Sequence, residues 1–304
     1  MQRAGDQNPR WITGIERTSM STIPDVNSVT KIASRYQQTV NSFFEGRSSY
    51  WRDVYRARTL SAFIYRDRRS AVLSMVDKLC LAKGSRILEV GCGAGSITIP
   101  LAKRGYRVSA VDTVEGMLEL TRNAADGAGL SGNVETSPAD VYQSGFPSGY
   151  FSLVMAIGLF PWLEYPAKAL VEMYRVTKSG GYVILTAPNK WCLIHLLDPL
   201  CFPALQPLRW QIAEALTKLN VWDHSRPRQH RYSAKQVNTL LREAGFHKVA
   251  ARTLGFGPFT LLKQKLLPNR AGVKLHQKLQ RLAGRGFPVI RSCGTVYVSL
   301  SQKP

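Results

Sequence analysis

ILEVGCGAGS, residues 87–96, is the stretch that decides the fold. The apolar run RILEV (86–90) has the pattern of a buried strand, and SITIPLAKRG (96–105) has that of a helix. Between them, Gly91, Gly93 and Gly95 let the backbone turn sharply and approach a ligand where a Cβ would clash. The helix that follows offers free N–H groups to a carboxylate or to ribose oxygens. The stretch therefore predicts a strand, loop and helix that hold a ligand.

An acidic residue lies at the position expected for the ribose-binding partner of such a loop. The next apolar run, YRVSAVD (106–112), is predicted to be a strand and ends at Asp112, about 20 residues beyond the first glycine, the usual spacing of a ribose-binding carboxylate. Ser96 occupies the place of the last glycine of a dinucleotide loop, so a pyrophosphate is not expected. The combination indicates a nucleoside-containing ligand. The alternative is a plain turn with Asp112 as a helix cap.

Strands and helices alternate beyond this point, which indicates right-handed βαβ units and a parallel sheet. The predicted helices are GMLELTRNAADGAG (116–129), AKALVEMYRVTKSGG (167–181) and SAKQVNTLLREAGF (233–246). The second of these is expected to end at its glycines, Gly180 and Gly181. The predicted strands are NVETS (133–137), FSLVMAI (151–157), YVILTA (182–187), HKVAARTL (247–254) and TVYVSL (295–300). Ser233 is the expected N-cap of the last helix and Gly245 its stop.

Breaks in this rhythm suggest the domain organisation. Residues 1–70 are predicted to form an N-terminal arm and a helical cap, and residues 71–190 the cofactor-binding core. Residues 191–230, rich in proline and large apolar groups, are predicted to be a lid insertion. Residues 231–304 complete the core and contain a second insertion at 255–294.

LEVGCGAG, VDTVEGML and SPADV resemble the first three motifs of the class I S-adenosylmethionine-dependent methyltransferases, particularly the small-molecule enzymes of ubiquinone and menaquinone biosynthesis. FPSGYFSLVMAIG and EMYRVTKSGGYVILT resemble the elements that follow in that family. The resemblance covers roughly residues 70–190 and more weakly 231–250. It implies a Rossmann-like α/β fold with a doubly wound, seven-stranded, mostly parallel sheet whose last strand, TVYVSL, is antiparallel. It also implies S-adenosyl-L-methionine as the cofactor and methyl donor.

The same resemblance assigns cofactor-binding positions. Glu89 would lie near the methionine amino group, Asp112 would hold the ribose, and Met117 would flank the adenine. Asp140 would accept from the adenine amino group, beside the backbone of Val141. The remaining expected contacts are with the loop and with the residue after the ribose acid: Gly91, Cys92, Gly93, Gly95 and Thr113.

Two positions depart from the family pattern and leave the catalytic base open. Many relatives carry an acid and a histidine just beyond the fourth strand, where this chain has Gly158 and Trp162. An acceptor hydroxyl would profit from a general base with a pKa near neutrality. The candidates in the lid insertion are His230, His195 and His224, and the alternatives just after the fourth strand are Tyr165 and Glu164. Asp223, His224 and His230 are more readily incidental loop residues than a metal site, so no metal is expected.

Aromatic and apolar residues suggest the nature of the acceptor. Three segments are predicted to converge outside the carboxyl ends of the strands. They are the N-terminal helices with Tyr50, Trp51 and Tyr55, the insertion after Asn189, and 255–294 with Phe256, Phe259, Leu261 and Leu262. We interpret them as a lid over an apolar acceptor such as a quinone, polyketide, aromatic or lipid-linked compound. Alternatively, they only pack the lid onto the sheet.

The charge is concentrated in the last third of the chain. The net charge is +21, of which residues 191–304 contribute +14 from 18 Lys and Arg against 4 Asp and Glu. The basic amphipathic segment VKLHQKLQRLAGRG (273–286) is typical of helices that contact anionic membranes, and simple solubility is the alternative explanation. The five scattered cysteines, and the lack of a secretory signal or a bilayer-spanning run, predict a cytoplasmic protein, with peripheral membrane contact as a hypothesis.

The sequence therefore predicts an enzyme that methylates an O, N or C atom of a small, apolar acceptor. An RNA methyltransferase is a second hypothesis, favoured by the charge but weakened by the lack of a recognisable RNA-binding module. A non-catalytic nucleoside-binding protein is a third, because a fold does not determine a function.

Overall fold

A seven-stranded sheet organises the computed structural model, which describes residues 26–198, 201–205, 227, 229–262 and 264–304. Its strands, in the order of the sheet, are β3 (Val134–Pro138), β2 (Arg107–Asp112), β1 (Arg86–Val90), β4 (Phe151–Ala156), β5 (Thr177–Pro188), β9 (Val296–Gln302) and β6 (His247–Leu254). Neighbouring strands from β3 to β5 are parallel, whereas β9 runs antiparallel to both β5 and β6. The predicted fold class, with its antiparallel last strand, is confirmed.

Helices flank the sheet on both faces. They are α1 (Val26–Glu45), α2 (Ser48–Asp53), α3 (Leu60–Asp77), α4 (Thr98–Ala102), α5 (Glu115–Asp126), α6 (Pro166–Val176), α7 (Leu193–Leu197), α8 (Ala234–Glu243) and α9 (Asn269–Gly284). Short 3₁₀ turns lie at Phe160–Trp162, Pro203–Leu205 and Val289–Ser292, and β7 (Thr260–Leu261) pairs with β8 (Gln264–Lys265) in a small hairpin. The helices of the N-terminal cap, α1 to α3, precede the first strand.

The central strand β4 shows why the sheet is covered on both faces. All six of its residues are buried. Val154 belongs to a cluster with Leu170 of α6 and Val237 of α8, whereas Leu153 belongs to a second cluster with Val72 of α3. Successive side chains of a strand point to opposite faces, so a continuous apolar run is the expected pattern for a doubly covered parallel strand.

Helix α6 ends earlier than its glycines predict. It stops at Val176, and β5 begins at Thr177 and includes Gly180 and Gly181. Thr177 has an extended backbone (ψ 131°), and its hydroxyl donates to the carbonyl of Met173 at 2.6 Å. This hydroxyl satisfies a carbonyl of the last helical turn, so the helix ends without a glycine stop. The prediction that the helix extends to residue 181 is wrong.

Helix α8, which precedes β6, begins as predicted. The Ser233 side chain accepts from the backbone N–H of Gln236, and the Gln236 side chain accepts from the N–H of Ser233, which makes a complete capping box. The helix ends before Gly245, whose φ of +96° is left-handed. Both predicted signals are confirmed.

Part of the second insertion packs on α3. A Cβ added at Gly257 would lie 2.6 Å from Leu60, and His276 of α9 makes a 3.0 Å contact with Asp67 of α3. His276 is fully buried, and its Nδ1 accepts from the N–H of Phe256 at 3.1 Å. Phe256 and α9 therefore cover the helical cap, which corrects the prediction that they converge on the acceptor site. The β7–β8 hairpin lies elsewhere, because Thr260 contacts Asp198 at the end of α7.

Among the described helices, none has the length and apolar character needed to cross a bilayer.

Candidate functional site

The glycine loop after β1 forms one wall of a cavity of about 430 Å³ at the carboxyl edge of the sheet. Gly91, Gly93 and Gly95 all have left-handed φ values, between +56° and +71°. A Cβ at Gly91 would meet Leu159 at 3.1 Å and one at Gly95 would meet Thr121 at 3.1 Å, whereas nothing lies within 4 Å of a Cβ at Gly93. Two glycines are therefore needed for close packing, and Gly93 leaves bare backbone facing open space.

Asp112, at the end of β2, lines the same cavity. Its Oδ2 accepts from the N–H of Gly93 at 3.0 Å, and its Oδ1 accepts from the N–H of Val114 at 3.1 Å. Burial raises the pKa of this carboxyl. Each oxygen keeps a second lone pair, so Asp112 can tie the glycine loop to the start of α5 and still accept two ribose hydroxyl protons. The helix-cap alternative and the ligand-binding interpretation are compatible.

The far end of the cavity suits a flat heterocycle. Thr113, Met117, Asp140 and Val141 all line it. The Asp140 carboxylate accepts from the N–H of Tyr142 at 2.9 Å, which orients it, and Met117 is almost completely buried. A thioether and an acceptor oxygen are therefore available to an adenine, and the adenine-binding roles implied by the second and third motifs stay predictions.

Helix α1 closes the cavity over the ribose end. The Thr113 hydroxyl donates to Asn41 Oδ1 at 2.9 Å, and the Gln37 amide donates to the same Asn41 oxygen at 2.7 Å. All three residues line the cavity. The helical cap is therefore joined to the residue directly after Asp112, a contact that no sequence motif indicated.

Aromatic rings form the walls on the side of the helical cap and the β4 exit. The ring of Trp162 lies 5.5 Å from that of Phe43 and 5.1 Å from that of Phe44. Trp51 lies 5.8 Å from Phe44 and 5.7 Å from Tyr65. These centroid distances are those of attractive aromatic pairs, so the walls support one another without a ligand. Trp162, which replaces the histidine of many relatives, is thus part of an apolar wall.

Arg68 of α3 is the site residue that sequence analysis missed. It lines the cavity, its Nη2 donates to the Tyr55 hydroxyl at 3.4 Å, and a Cβ at Gly158 would lie 3.2 Å from its Nη1. Its Nε and the Trp51 Nε1 are buried and have no hydrogen-bond partner among the described residues. Buried donors without partners are rare and suggest a ligand acceptor. Because α3 contains other arginines, nothing in the sequence distinguished Arg68 as a site residue.

Two predicted cofactor residues lie behind the cavity wall. Glu89 is 2% exposed, and its Oε2 accepts from the Thr98 hydroxyl at 2.5 Å. Burial raises the pKa of Glu89 to about 8. Neither Glu89 nor Gly95 is among the residues that line the cavity, whereas Gly91, Cys92 and Gly93 are. Glu89 is therefore hydrogen-bonded to α4, the helix that follows the glycine loop, and does not line the cavity.

The three predicted catalytic residues do not line the cavity either. His195 lies on α7, where its Nδ1 is 3.3 Å from the carbonyl of Lys190 and burial lowers its pKa to about 4. The ring of Tyr165 packs 6.2 Å from that of Tyr142. His230 comes nearest, since its neighbour Gln229 lines the cavity, but its own ring contacts Tyr36. Their catalytic roles stay predictions.

The predicted aromatic residues of the helical cap line the cavity, whereas two residues of the lid insertion lie outside the described residues. Tyr50, Trp51 and Tyr55 line the cavity as predicted, at the side of the helical cap. His224 and Asp223 lie outside the described residues. Within the described ranges, no group of three or more His, Cys, Asp and Glu side chains is arranged to hold a metal ion.

Comparison with known proteins finds methyltransferases that match the part of the chain carrying the cavity. The methyltransferase domain family matches residues 88–185, from the glycine loop to β5. A ubiquinone biosynthesis O-methyltransferase of Thiobacillus denitrificans is 30% identical over 125 residues, which are 41% of this chain and 53% of that protein. The chain therefore spans about half the length of that relative.

A second relative aligns over more of its length. The aklanonic acid methyltransferase DauC of Streptomyces sp. strain C5 is 30% identical over 200 residues, which cover 62% of this chain and 86% of the relative. Among solved structures, magnesium protoporphyrin IX methyltransferase from Synechocystis PCC 6803, with bound SAH, has a TM-score of 0.59 at 14% identity and covers 88% of this chain and 100% of that one. The structural likeness concerns the fold.

Proposed function

The chain belongs to the class I S-adenosylmethionine-dependent methyltransferases, and on this premise we propose that it methylates an oxygen atom of a small, flat, apolar acceptor. The aromatic walls beside the glycine loop carry this proposal. Together with the groups that suit the cofactor, they line one cavity and offer rings against which a planar molecule could pack.

The residues that would hold the cofactor follow from the lining of the cavity. Asp112 would bind the ribose hydroxyls, Asp140 the adenine amino group, and the bare backbone at Gly93 the edge of the ligand. Arg68, a guanidinium with an unpartnered Nε, would hold the methionine carboxylate. S-adenosylmethionine, when bound, supplies an electrophilic methyl group on its sulfonium.

The aromatic walls would orient the acceptor and exclude water. Trp162 and Phe44 face the cavity from different elements and are already packed against each other at 5.1 Å. A planar acceptor can stack or pack edge-on against such rings without rearranging them. Holding an acceptor oxygen in line with the donor can lower the barrier by about 7–11 kcal/mol, so orientation is the main task of these residues.

Tyr55 is a candidate for positioning the acceptor oxygen. Its hydroxyl accepts from the Ser96 hydroxyl at 3.1 Å and from Arg68 at 3.4 Å. With both contacts used as acceptors, its own proton is left to donate, and Tyr55 lines the cavity. A donated hydrogen bond of this kind would orient an acceptor hydroxyl or stabilise its oxyanion.

Two of the relatives direct attention to an oxygen acceptor, whereas a third is a phosphatidylethanolamine N-methyltransferase. One is named for O-methylation in ubiquinone biosynthesis and another for methylation of aklanonic acid. Both names are properties of those proteins. They favour phenols and carboxylic acids as the first acceptors to try here.

The test is a labelled-methyl transfer assay with S-adenosylmethionine and a panel of flat phenols, quinols and aromatic carboxylic acids, with matched amines and total RNA as comparison acceptors. We expect transfer to an aromatic oxygen. In the variant Trp162→Leu the acceptor KM should rise roughly 5- to 10-fold, as the loss of an aromatic contact implies. The affinity for S-adenosylmethionine should stay within about twofold. Trp191→Leu, an exposed tryptophan outside the cavity, is the matched control.

Because Trp162 also packs against Phe43 and Phe44, a thermal unfolding curve must accompany its kinetics. Phe44→Leu is the second variant and should raise the acceptor KM in the same direction. Preferred transfer to RNA, or equal acceptor KM values in the wild type and both cavity variants, would contradict the proposal. Replacing Arg68 by methionine should weaken S-adenosylmethionine but not 5′-methylthioadenosine, which lacks the carboxylate.

A further inference from the structure

Exposed leucine and phenylalanine side chains lie on three short segments that meet at Asp198, beyond the carboxyl ends of β5 and β6. We call them the apolar tip. Its members are Leu196 and Leu197 on α7, Phe202 and Leu205 in the turn that follows, and Leu261, Leu262 and Leu266 in the β7–β8 hairpin. All seven are more than a third exposed. Exposed apolar side chains gathered on neighbouring segments often mark a binding surface.

The buried carboxylate of Asp198 holds these segments together. Its Oδ2 accepts from the Thr260 hydroxyl at 2.8 Å, and its Oδ1 accepts from the N–H of Leu262 at 3.1 Å. Its backbone carbonyl accepts from the N–H of Cys201 at 2.8 Å. Asp198 is completely buried although its neighbours are exposed. Charge-assisted hydrogen bonds therefore fix the β7–β8 hairpin to Asp198, directly after α7.

Leu262, at the turn of the hairpin, has a backbone conformation that a leucine rarely adopts. Its φ is +49°, and its side chain is 55% exposed. Glycine or asparagine usually occupies such a position, because a branched side chain at positive φ is strained. An exposed leucine at this strained position is a candidate for a contact outside the chain.

The part of the chain that contains the hairpin and α9 is strongly basic. From Ala244 to Pro304 the chain has eleven Lys and Arg and no Asp or Glu. Helix α9, which begins shortly after the hairpin, exposes Arg270, Lys274, Lys278 and Arg281. Within the described ranges, none of these four side chains has an acidic partner at salt-bridge distance. The segment from Leu261 to Arg281 thus carries both exposed apolar side chains and basic side chains that have no acidic partner among the described residues.

We propose that the apolar tip and the basic face of α9 dock on the surface of an anionic lipid bilayer. The proposal goes beyond the proposed function and does not depend on the identity of the acceptor. Leucine and phenylalanine side chains would enter the interface while Lys and Arg approach lipid phosphates, the combination typical of peripheral membrane attachment. A nucleic acid would engage the basic face and leave the apolar tip without a role.

The test is co-sedimentation of the full chain with vesicles of phosphatidylcholine alone and of phosphatidylcholine with 30 mol% phosphatidylglycerol. We expect binding to the anionic vesicles that weakens with salt. Leu262→Asn should lower the affinity roughly 5- to 20-fold, since a leucine no longer enters an apolar phase. Its melting temperature should stay the same or rise, because asparagine tolerates the positive φ. Neutralising Lys274, Lys278 and Arg281 together with glutamine should lower the affinity on the order of 100-fold.

Val171→Asn is the matched control, because Val171 is 61% exposed on α6 and lies outside the apolar tip. It should leave vesicle binding unchanged. The proposal is overturned if the wild type fails to bind anionic vesicles, or if Leu262→Asn binds them as the wild type does. It is also overturned if Leu262→Asn lowers the melting temperature, since the side chain would then be packed against the chain itself. RNA is also added as a competitor of the vesicles. If RNA competes in the wild type and in Leu262→Asn but not in the α9 variant, the surface binds nucleic acid instead.

Discussion

Replacing Asp112 with asparagine is expected to weaken cofactor binding while leaving the stability of the apoprotein almost unchanged. The carboxylate accepts one N–H on each oxygen, from Gly93 at 3.0 Å and from Val114 at 3.1 Å. Asparagine offers one accepting oxygen and one donating amide group in the same space. It can keep one of the two backbone contacts and can accept at most one ribose hydroxyl.

The size of the affinity loss follows from the hydrogen bonds that disappear. A hydrogen bond to a charged group contributes about 1.5–3 kcal/mol. The loss of one such bond to a ribose hydroxyl corresponds to roughly 10- to 150-fold weaker binding of S-adenosylmethionine, at about 1.4 kcal/mol per factor of ten.

Stability should respond differently, because burial raises the pKa of the Asp112 carboxyl and its ionised form is therefore unfavourable in the folded apoprotein. The neutral amide removes that unfavourable charge, which offsets the loss of one backbone contact. We expect the free energy of unfolding to change by no more than about 1 kcal/mol, the net contribution of one ordinary hydrogen bond. A large affinity loss with little change in stability identifies a ligand-binding role.

The measurements are isothermal titration calorimetry with S-adenosylmethionine and S-adenosylhomocysteine, and denaturant unfolding of the apoprotein. Asp77→Asn is the matched control, since Asp77 pairs with Arg104 outside the cavity. A 2′-deoxy analogue extends the test: its penalty relative to the parent ligand should shrink in Asp112→Asn, because the two changes remove the same contact. Equal affinities for wild type and Asp112→Asn would refute the assignment of this carboxylate to the ribose.

Three further predictions address the loop, its support and a histidine. Gly93→Ala should lower the affinity for S-adenosylmethionine more than tenfold in calorimetry, because a Cβ at φ +56° is strained and enters the cavity. Gly129→Ala is the control for strain alone, since Gly129 is exposed and has a φ of +68°. Glu89, whose pKa is raised by burial to about 8, should contribute stability that is complete below about pH 4.5 and is lost as the pH rises towards 8; urea unfolding of Glu89→Gln across this window should lack that decline. His195→Gln should leave kcat within about twofold, because His195 lies outside the cavity; a drop of a hundredfold or more in the steady-state rate would restore it as a catalytic base.

The elements that sequence predicted well are those specified by local rules. The order of strands and helices from β1 to β5 follows from apolar periodicity, and the capping box at Ser233 follows from a four-residue pattern. The proximity of Gly93 and Asp112 was predictable because the loop and the end of the next strand are neighbours in any parallel βαβ unit. Where a local signal misled, as at the end of α6, a side-chain hydroxyl of Thr177 replaced the expected glycine stop.

The aromatic walls and Arg68 could be recognised only in three dimensions. Phe44, Arg68 and Trp162 come from α1, α3 and the turn after β4, and nothing in their spacing says that they face one cavity. The same limit explains why the histidines could not be ranked and why α9 packs on α3 and leaves the cavity walls to other segments. Sequence by itself determined that a nucleoside-binding loop and its acid would exist, because strand, turn and spacing are local. Tertiary structure alone decided which distant side chains complete the site, because helix packing depends on the shape and burial of whole faces.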